Sequence, residues 1–158
     1  MMNREQLVEQ FAQLISFVEG LRELDEETWT APIEPGKWTT RDVVAHIMLW
    51  DQYFLEEAIG KIAAHQPLTV KHLNFDEFNN NAVVYAKTKE KPEIIDLTIR
   101  YRAAILEHLR QLTDDEWTEV HQDGEGHPFA VDHYVPDFIA HDEHHIKQLQ
   151  AFLGIYLR

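Results

Sequence analysis

The chain has 158 residues, 44% of them hydrophobic, with four Trp, five Tyr and eight Phe, enough to bury the core of one ordinary domain over residues 1–158. Lys and Arg number 14 against 28 Asp and Glu, a formal charge of −14 with the basic residues scattered singly, which excludes a polynucleotide-binding stripe. The absence of cysteine excludes disulfides, thiolate ligands and a Cys nucleophile, so metal or acid–base chemistry falls to His, Asp, Glu and Tyr.

The N-terminal "MMNREQLVEQ" lacks the apolar core of a secretory signal. No apolar run reaches the roughly 18 residues of a membrane span. The expected compartment is therefore the cytoplasm.

From Arg4 to Leu24 the apolar residues recur with a helical period, placing Leu7, Phe11, Leu14, Ile15, Val18 and Leu21 on one stripe. A loop punctuated by Pro32, Pro35 and Gly36 follows. Thr39, with Asp42 three residues on, reads as the capping box of a second helix. Its inner face carries Val43, Ile47, Trp50 and Phe54, and the pattern fades near His65-Gln66-Pro67. A shorter helix is predicted over about 76–88. Pro92 then sits in the first turn of a third long helix carrying Ile95, Ile99, Ala103, Leu106, Leu109 and Leu112.

The loop containing Gly124, Gly126 and Pro128 has room for a short strand. The last helix is predicted from Val135, or a few residues earlier, to Phe152, with Gly154 as its closing residue. Four amphipathic helices with long crossovers imply an all-α, four-helix bundle.

Three histidines crowd the last helix in "FIAHDEHHIKQL". His141 and His145, one turn apart, share a face and can grip one ion. His144 points about 60° from His141 and about 100° from His145, towards the rim. The inward stripe runs through Phe138, then His141 or Asp142, then His145, Leu149 and Phe152. "HDEHH" is not the zincin motif: Asp142 stands where the general-base Glu is needed, and no His, Asp or Glu follows His145. In a bundle the third ligand comes from a facing helix, and His46, bordered by Ile47 and Trp50, is the outstanding candidate. Three imidazoles leave a fourth position open, the arrangement of a catalytic site. Imidazole ligation suits zinc, nickel, copper or iron(II).

Two segments together resemble the DinB-like (YfiT-like) superfamily of four-helix metal-dependent proteins. "KWTTRDVVAHI" resembles that family's W-[ST]-x-x-[DE]-[VIL]-x-x-H signature, and "HDEHHIKQL" resembles its terminal H-x-x-x-H helix. Order and spacing agree over nearly the whole chain. The resemblance implies an up-down-down-up bundle and assigns His46, His141 and His145 as metal ligands for a divalent transition ion, zinc or nickel first, with iron and manganese as alternatives. It also implies thiol-dependent isomerase, transferase or hydrolase chemistry on small electrophiles, with a low-molecular-weight thiol as cosubstrate in several relatives and homodimers in many.

Around these residues, Asp42 and Asp137 each lie one turn before a candidate ligand. Either can orient an imidazole, though both also suit a helix first turn. Trp50 reads as core, while the Tyr53 hydroxyl wants a partner and can reach a cavity. His133 and Tyr134 can line the mouth. His121 and His127 are loop histidines, Glu143 points to solvent, and Asn79, Asn80 and Asn81 offer polar contacts that the sequence does not rank.

Three functions remain open at this stage. The first is an enzyme activating water or a small thiol. The second is a non-catalytic binding or stress-response module whose ion pins two helices. In the third, the histidines are structural and nothing binds. There is no Gly-rich phosphate loop, G-x-S-x-G elbow or dinucleotide fingerprint, and a small-molecule partner is expected in the absence of nucleic acid or membrane.

Overall fold

A computed structural model describes residues 2–156. Asn3, with Gln6 three residues on, forms a capping box that opens α1 (Arg4–Gly20), which tightens into a 3-10 turn at Leu21–Glu23. The following loop holds one turn of helix, α2 (Glu26–Trp29), capped by Asp25. Thr39 and Asp42 form the expected capping box of α3 (Thr40–Phe54).

At Leu55–Ile59 the helix widens into a π turn before α4 (Gly60–Ala63). The glycine is required there, because a Cβ on Gly60 would lie 2.6 Å from the Leu55 carbonyl oxygen. The Glu57 carbonyl accepts the amides of Thr69 and Val70, both at 3.0 Å. The π turn thus ties down the crossover that follows.

Asn74 caps α5 (Phe75–Ala86), and Pro92 lies in the first turn of α6 (Lys91–Gln111). A short α7 (Asp114–Thr118) precedes an antiparallel hairpin, β1 (His121–Gln122) with β2 (Pro128–Phe129). The loop thus supplies two short strands where room for one was expected. The last helix, α8 (Val131–Tyr156), starts a few residues before Val135 and contains Pro136. Gly154 corrects the sequence reading: the helix runs through it, and it makes no left-handed cap.

Polar contacts and the two core clusters give the helix directions. Arg4 at the start of α1 donates to the Leu109 carbonyl at 2.9 Å and to that of Leu112, at the end of α6. Arg22 at the other end of α1 meets Asp96 at 2.6 Å, so these two helices are antiparallel. Val43, Val44 and Ile47 share a cluster with Ile94 and Ile95, while Ile59 and Ile62 share the other with Ile105 and Leu109, so α3 and α6 run parallel. Val8 and Phe11 pack with Val131 and Val135, and Leu14 and Val18 with Leu149, so α1 and α8 are parallel too. Phe54 meets Tyr134 at 5.0 Å between ring centroids and His46 meets His145 at 4.7 Å, which makes α3 and α8 antiparallel. The bundle is up-down-down-up. Among the described residues no helix is long and apolar enough to cross a membrane.

Between the clusters lies a charged layer that periodicity did not reveal. The Arg102 guanidinium is fully buried, donating to Asp51 at 2.8 and 3.1 Å, to Asp142 at 2.7 and 3.4 Å, and to the Phe11 carbonyl at 2.8 Å. It also sits 3.8 Å above the Phe11 ring. Burial alone would lower the Arg102 pKa, but the two carboxylates overcome it and hold the guanidinium charged. Burial lifts Asp51 to about 6 despite Arg102, and lifts Asp142 in the same direction.

Candidate metal centre

The capping box fixes where α3 begins, and His46 follows Asp42 by one turn on its inner face, 1% exposed. Its ring packs on Trp38, with centroids 4.9 Å apart. From α8, His141 and His145 come to 5.3 and 4.7 Å of the His46 ring and 4.6 Å of each other. Each offers one nitrogen, and the three nitrogens lie within 4.8 Å of one another. The structure therefore brings together the three histidines singled out in the sequence.

Their hydrogen bonds orient them. His46 Nδ1 lies 2.5 Å from the Val43 carbonyl, so it donates its proton there and Nε2 is the free nitrogen. His145 Nδ1 lies 3.3 Å from Gln148 Oε1 and is held in the same way. His141 Nδ1 is buried with no hydrogen-bond partner.

All three are kept neutral. Burial, reinforced by the neighbouring imidazoles, depresses His46 to about 3 and His145 to about 4. Burial, with Arg102 and His144, depresses His141 in the same direction. Neutral imidazole is the form that binds a metal. The donor set fits a divalent transition ion.

A cavity of about 380 Å³ opens beside His141, walled by Trp50, Phe54, Phe75 and Phe138 with Asn79 and Asp137 as polar groups. Trp50 is only 6% exposed, stacks on Phe78 at 3.8 Å and donates its indole N–H to Asn79 at 2.9 Å, so it is both core and wall. Asn79 is thus the member of the Asn run that reaches the site, while Asn81 lines a different groove.

The neighbouring candidates separate. Asp42 accepts the Thr39 amide at 3.1 Å, and His46 bonds to Val43, so the cap explains Asp42. Asp137 is exposed and lines the cavity. The Tyr53 hydroxyl accepts the Lys71 amide at 2.8 Å and donates to the Lys71 carbonyl at 3.2 Å, pinning the crossover rather than facing the triad. His133 and Tyr134 line an adjoining outer cavity. Tyr134 is buried, its hydroxyl lacks a partner, and burial raises its pKa. His144 and Glu143 are exposed, as their helical angles require. His121 lies 3.4 Å from Glu119, away from the triad. Asp142 points to Arg102 while His141 points to the triad, so both alternatives on the α8 stripe are occupied.

Comparison with known proteins places this architecture. Residues 4–149 match the sequence model of the DinB superfamily. Among solved structures, YfiT from Bacillus subtilis, described as a probable metal-dependent hydrolase with an unusual four-helix bundle topology, superposes with a TM-score of 0.78 at 13% identity, over 97% of this chain and 87% of its own. A mycothiol-dependent maleylpyruvate isomerase superposes with a TM-score of 0.70 at 16% identity, over 94% of this chain and 61% of its own. The chain thus spans under two thirds of the isomerase. At these identities the likeness shows the fold alone. No curated protein sequence matches.

Proposed function

The chain belongs to the DinB superfamily, and from that premise we propose that it is a metal-dependent enzyme whose ion is held by His46, His141 and His145. Its substrate is a small electrophile, attacked by water or by a low-molecular-weight thiol. The observation that carries this reading is the aromatic cavity of about 380 Å³ with His141, one of three clustered neutral imidazoles, at its wall. A purely structural ion needs no such opening. The description of YfiT as a probable metal-dependent hydrolase and the thiol dependence of the isomerase support the same class of chemistry.

When bound, a divalent transition ion supplies a Lewis acid that favours the anionic, nucleophilic form of water or thiol at neutral pH. The chain itself binds and orients. Trp50, Phe54, Phe75 and Phe138 take up apolar surface and limit water at the reacting centre. The Trp50–Asn79 bond fixes the wall. Asp137 presents a carboxylate that can orient a polar substrate group. His46 and His145 are locked by Val43 and Gln148, which keeps their ring planes in place. With no cysteine in the chain, any sulfur comes from the cosubstrate.

The test is elemental analysis of the untagged protein and of His46→Ala and His141→Ala, followed by hydrolysis and thiol-transfer screens. One transition-ion equivalent that wild type holds and both variants lose, with the chelated protein still folded, supports the enzyme reading. Collapse of the fold on chelation favours the structural ion. No metal after reconstitution with zinc and nickel refutes both.

A further inference from the structure

A second group of metal-type donors lies outside the triad, where the crossover and the hairpin meet. The two segments are held closely: the Gly124 amide donates to the Val70 carbonyl at 2.7 Å, and a Cβ on Gly124 would lie 2.9 Å from the Thr69 carbonyl oxygen. This contact brings His72 of the crossover against the turn residues Asp123, Glu125 and His127. His72 Nδ1 and His127 Nδ1 are 3.2 Å apart. Each offers one donor atom with Asp123 and Glu125, and the four atoms lie within 4.8 Å of one another.

Asp123 makes this more than a surface cluster. Its side chain is only 6% exposed although the histidines around it are 71% and 54% exposed. One oxygen, Oδ1, accepts the amides of Glu125 and His127, both at 2.8 Å, which fixes the carboxylate. The other, Oδ2, makes no hydrogen bond and faces the two Nδ1 atoms at 4.0 and 3.7 Å, too far for hydrogen bonding. Ligands about 2.0–2.1 Å from a tetrahedral ion lie about 3.4 Å apart, close to this spacing. Without an ion, one imidazole donates to the other at 3.2 Å and Oδ2 serves only as a long-range ion-pair partner of the two rings; an ion would draw all three atoms onto one centre.

We infer that His72, Asp123 and His127, with Glu125 alongside, form a second divalent-cation site for a zinc-like ion that accepts imidazole and carboxylate ligands. The site is built independently of the triad. His72 and Asp123 also line the outer cavity of about 310 Å³, which shares Trp50, Phe54 and Phe138 with the cavity beside His141. An ion there clamps the hairpin to the crossover and offsets the Asp123 and Glu125 carboxylates, which lessens the repulsion of anionic substrates at the mouth of an acidic chain.

The experiment compares chelator-stripped wild type with His72→Ala, His127→Ala and His145→Ala, each dialysed against zinc or cobalt(II). Bound metal is measured by elemental analysis, and amide exchange is followed over residues 69–72 and 121–129. Wild type is expected to bind about one equivalent more than His72→Ala or His127→Ala, and His145→Ala to keep that His72-dependent equivalent. Zinc is expected to slow exchange of the two segments in wild type but not in His72→Ala. Both altered histidines are exposed, so the variants keep the fold, which a melt in chelator verifies. Equal metal in wild type and both loop variants at every zinc concentration, or zinc protection that persists in His72→Ala, overturns the inference. A triad that binds nothing while the His72-dependent equivalent remains refutes the proposed function and leaves this site standing.

Discussion

Replacing Arg102 with Met tests whether the buried charged layer holds the bundle together. The substitution keeps a long apolar stem but removes every donor to Asp51, Asp142 and the Phe11 carbonyl. Taking away one partner of a buried ion pair costs about 3–5 kcal/mol, and an unsatisfied buried carbonyl about 1–3 kcal/mol. These overlap, because the stranded carboxylates escape by taking up protons, so we expect a loss of about 4 kcal/mol near pH 7.5. For a chain of this size that is a melting drop of roughly 8–16 °C.

The pH dependence follows from burial. Asp51 sits at about 6 even beside Arg102, against 3.8 for the free side chain. Without Arg102 both carboxyls rise further, so between 3.8 and those raised values the native state binds more protons than the unfolded chain. Stability is then fully present below the unfolded pKa and is lost as pH rises through the folded one. The deficit of Arg102→Met should therefore be largest near neutrality and shrink towards about pH 5. Urea unfolding of the metal-free proteins at the two pH values measures it. A variant within about 1 kcal/mol of wild type at neutral pH, or a deficit that does not change with pH, would refute the reasoning.

Three further outcomes are expected. His46 is held at about 3 against 6.5 in the unfolded chain, so the unfolded state binds the extra proton and metal-free stability falls as pH drops from about 6.5 towards 3; His46→Gln should flatten that slope in pH-dependent melts. Gly60→Ala places a Cβ against the Leu55 carbonyl and should cost about 1–3 kcal/mol, with faster exchange of the Thr69 and Val70 amides that Glu57 holds. Gly124→Ala collides with the backbone at Thr69 and Val70 and should loosen the hairpin, seen as lost protection at 121–129 with little change in the bundle's far-ultraviolet spectrum.

Much of the scaffold was legible because its determinants are local. Thr39 and Asp42 announced the start of α3, and that cap placed His46 on the inner face one turn later. Helical spacing paired His141 with His145 and turned His144 and Glu143 outward. The end of α8 was misjudged because Gly154 resembles a C-cap by type, whereas its backbone continues the helix. Asp142 stayed ambiguous because period alone cannot say which of two adjacent residues enters a seam.

The sequence by itself determined four amphipathic helices, the capped start of α3, the Pro92 first turn of α6 and the two histidine-bearing faces, since each depends on residues a few positions apart. Only the tertiary structure decided that Arg102 would join Asp51 and Asp142, 51 and 40 residues away, in one buried network. Likewise it chose Asn79 from the Asn run, tied Tyr53 to Lys71, and set His72 against the Asp123–His127 turn. Those pairings depend on how the π turn and Gly124 steer the crossover and hairpin, and no local period encodes contacts made across a bundle.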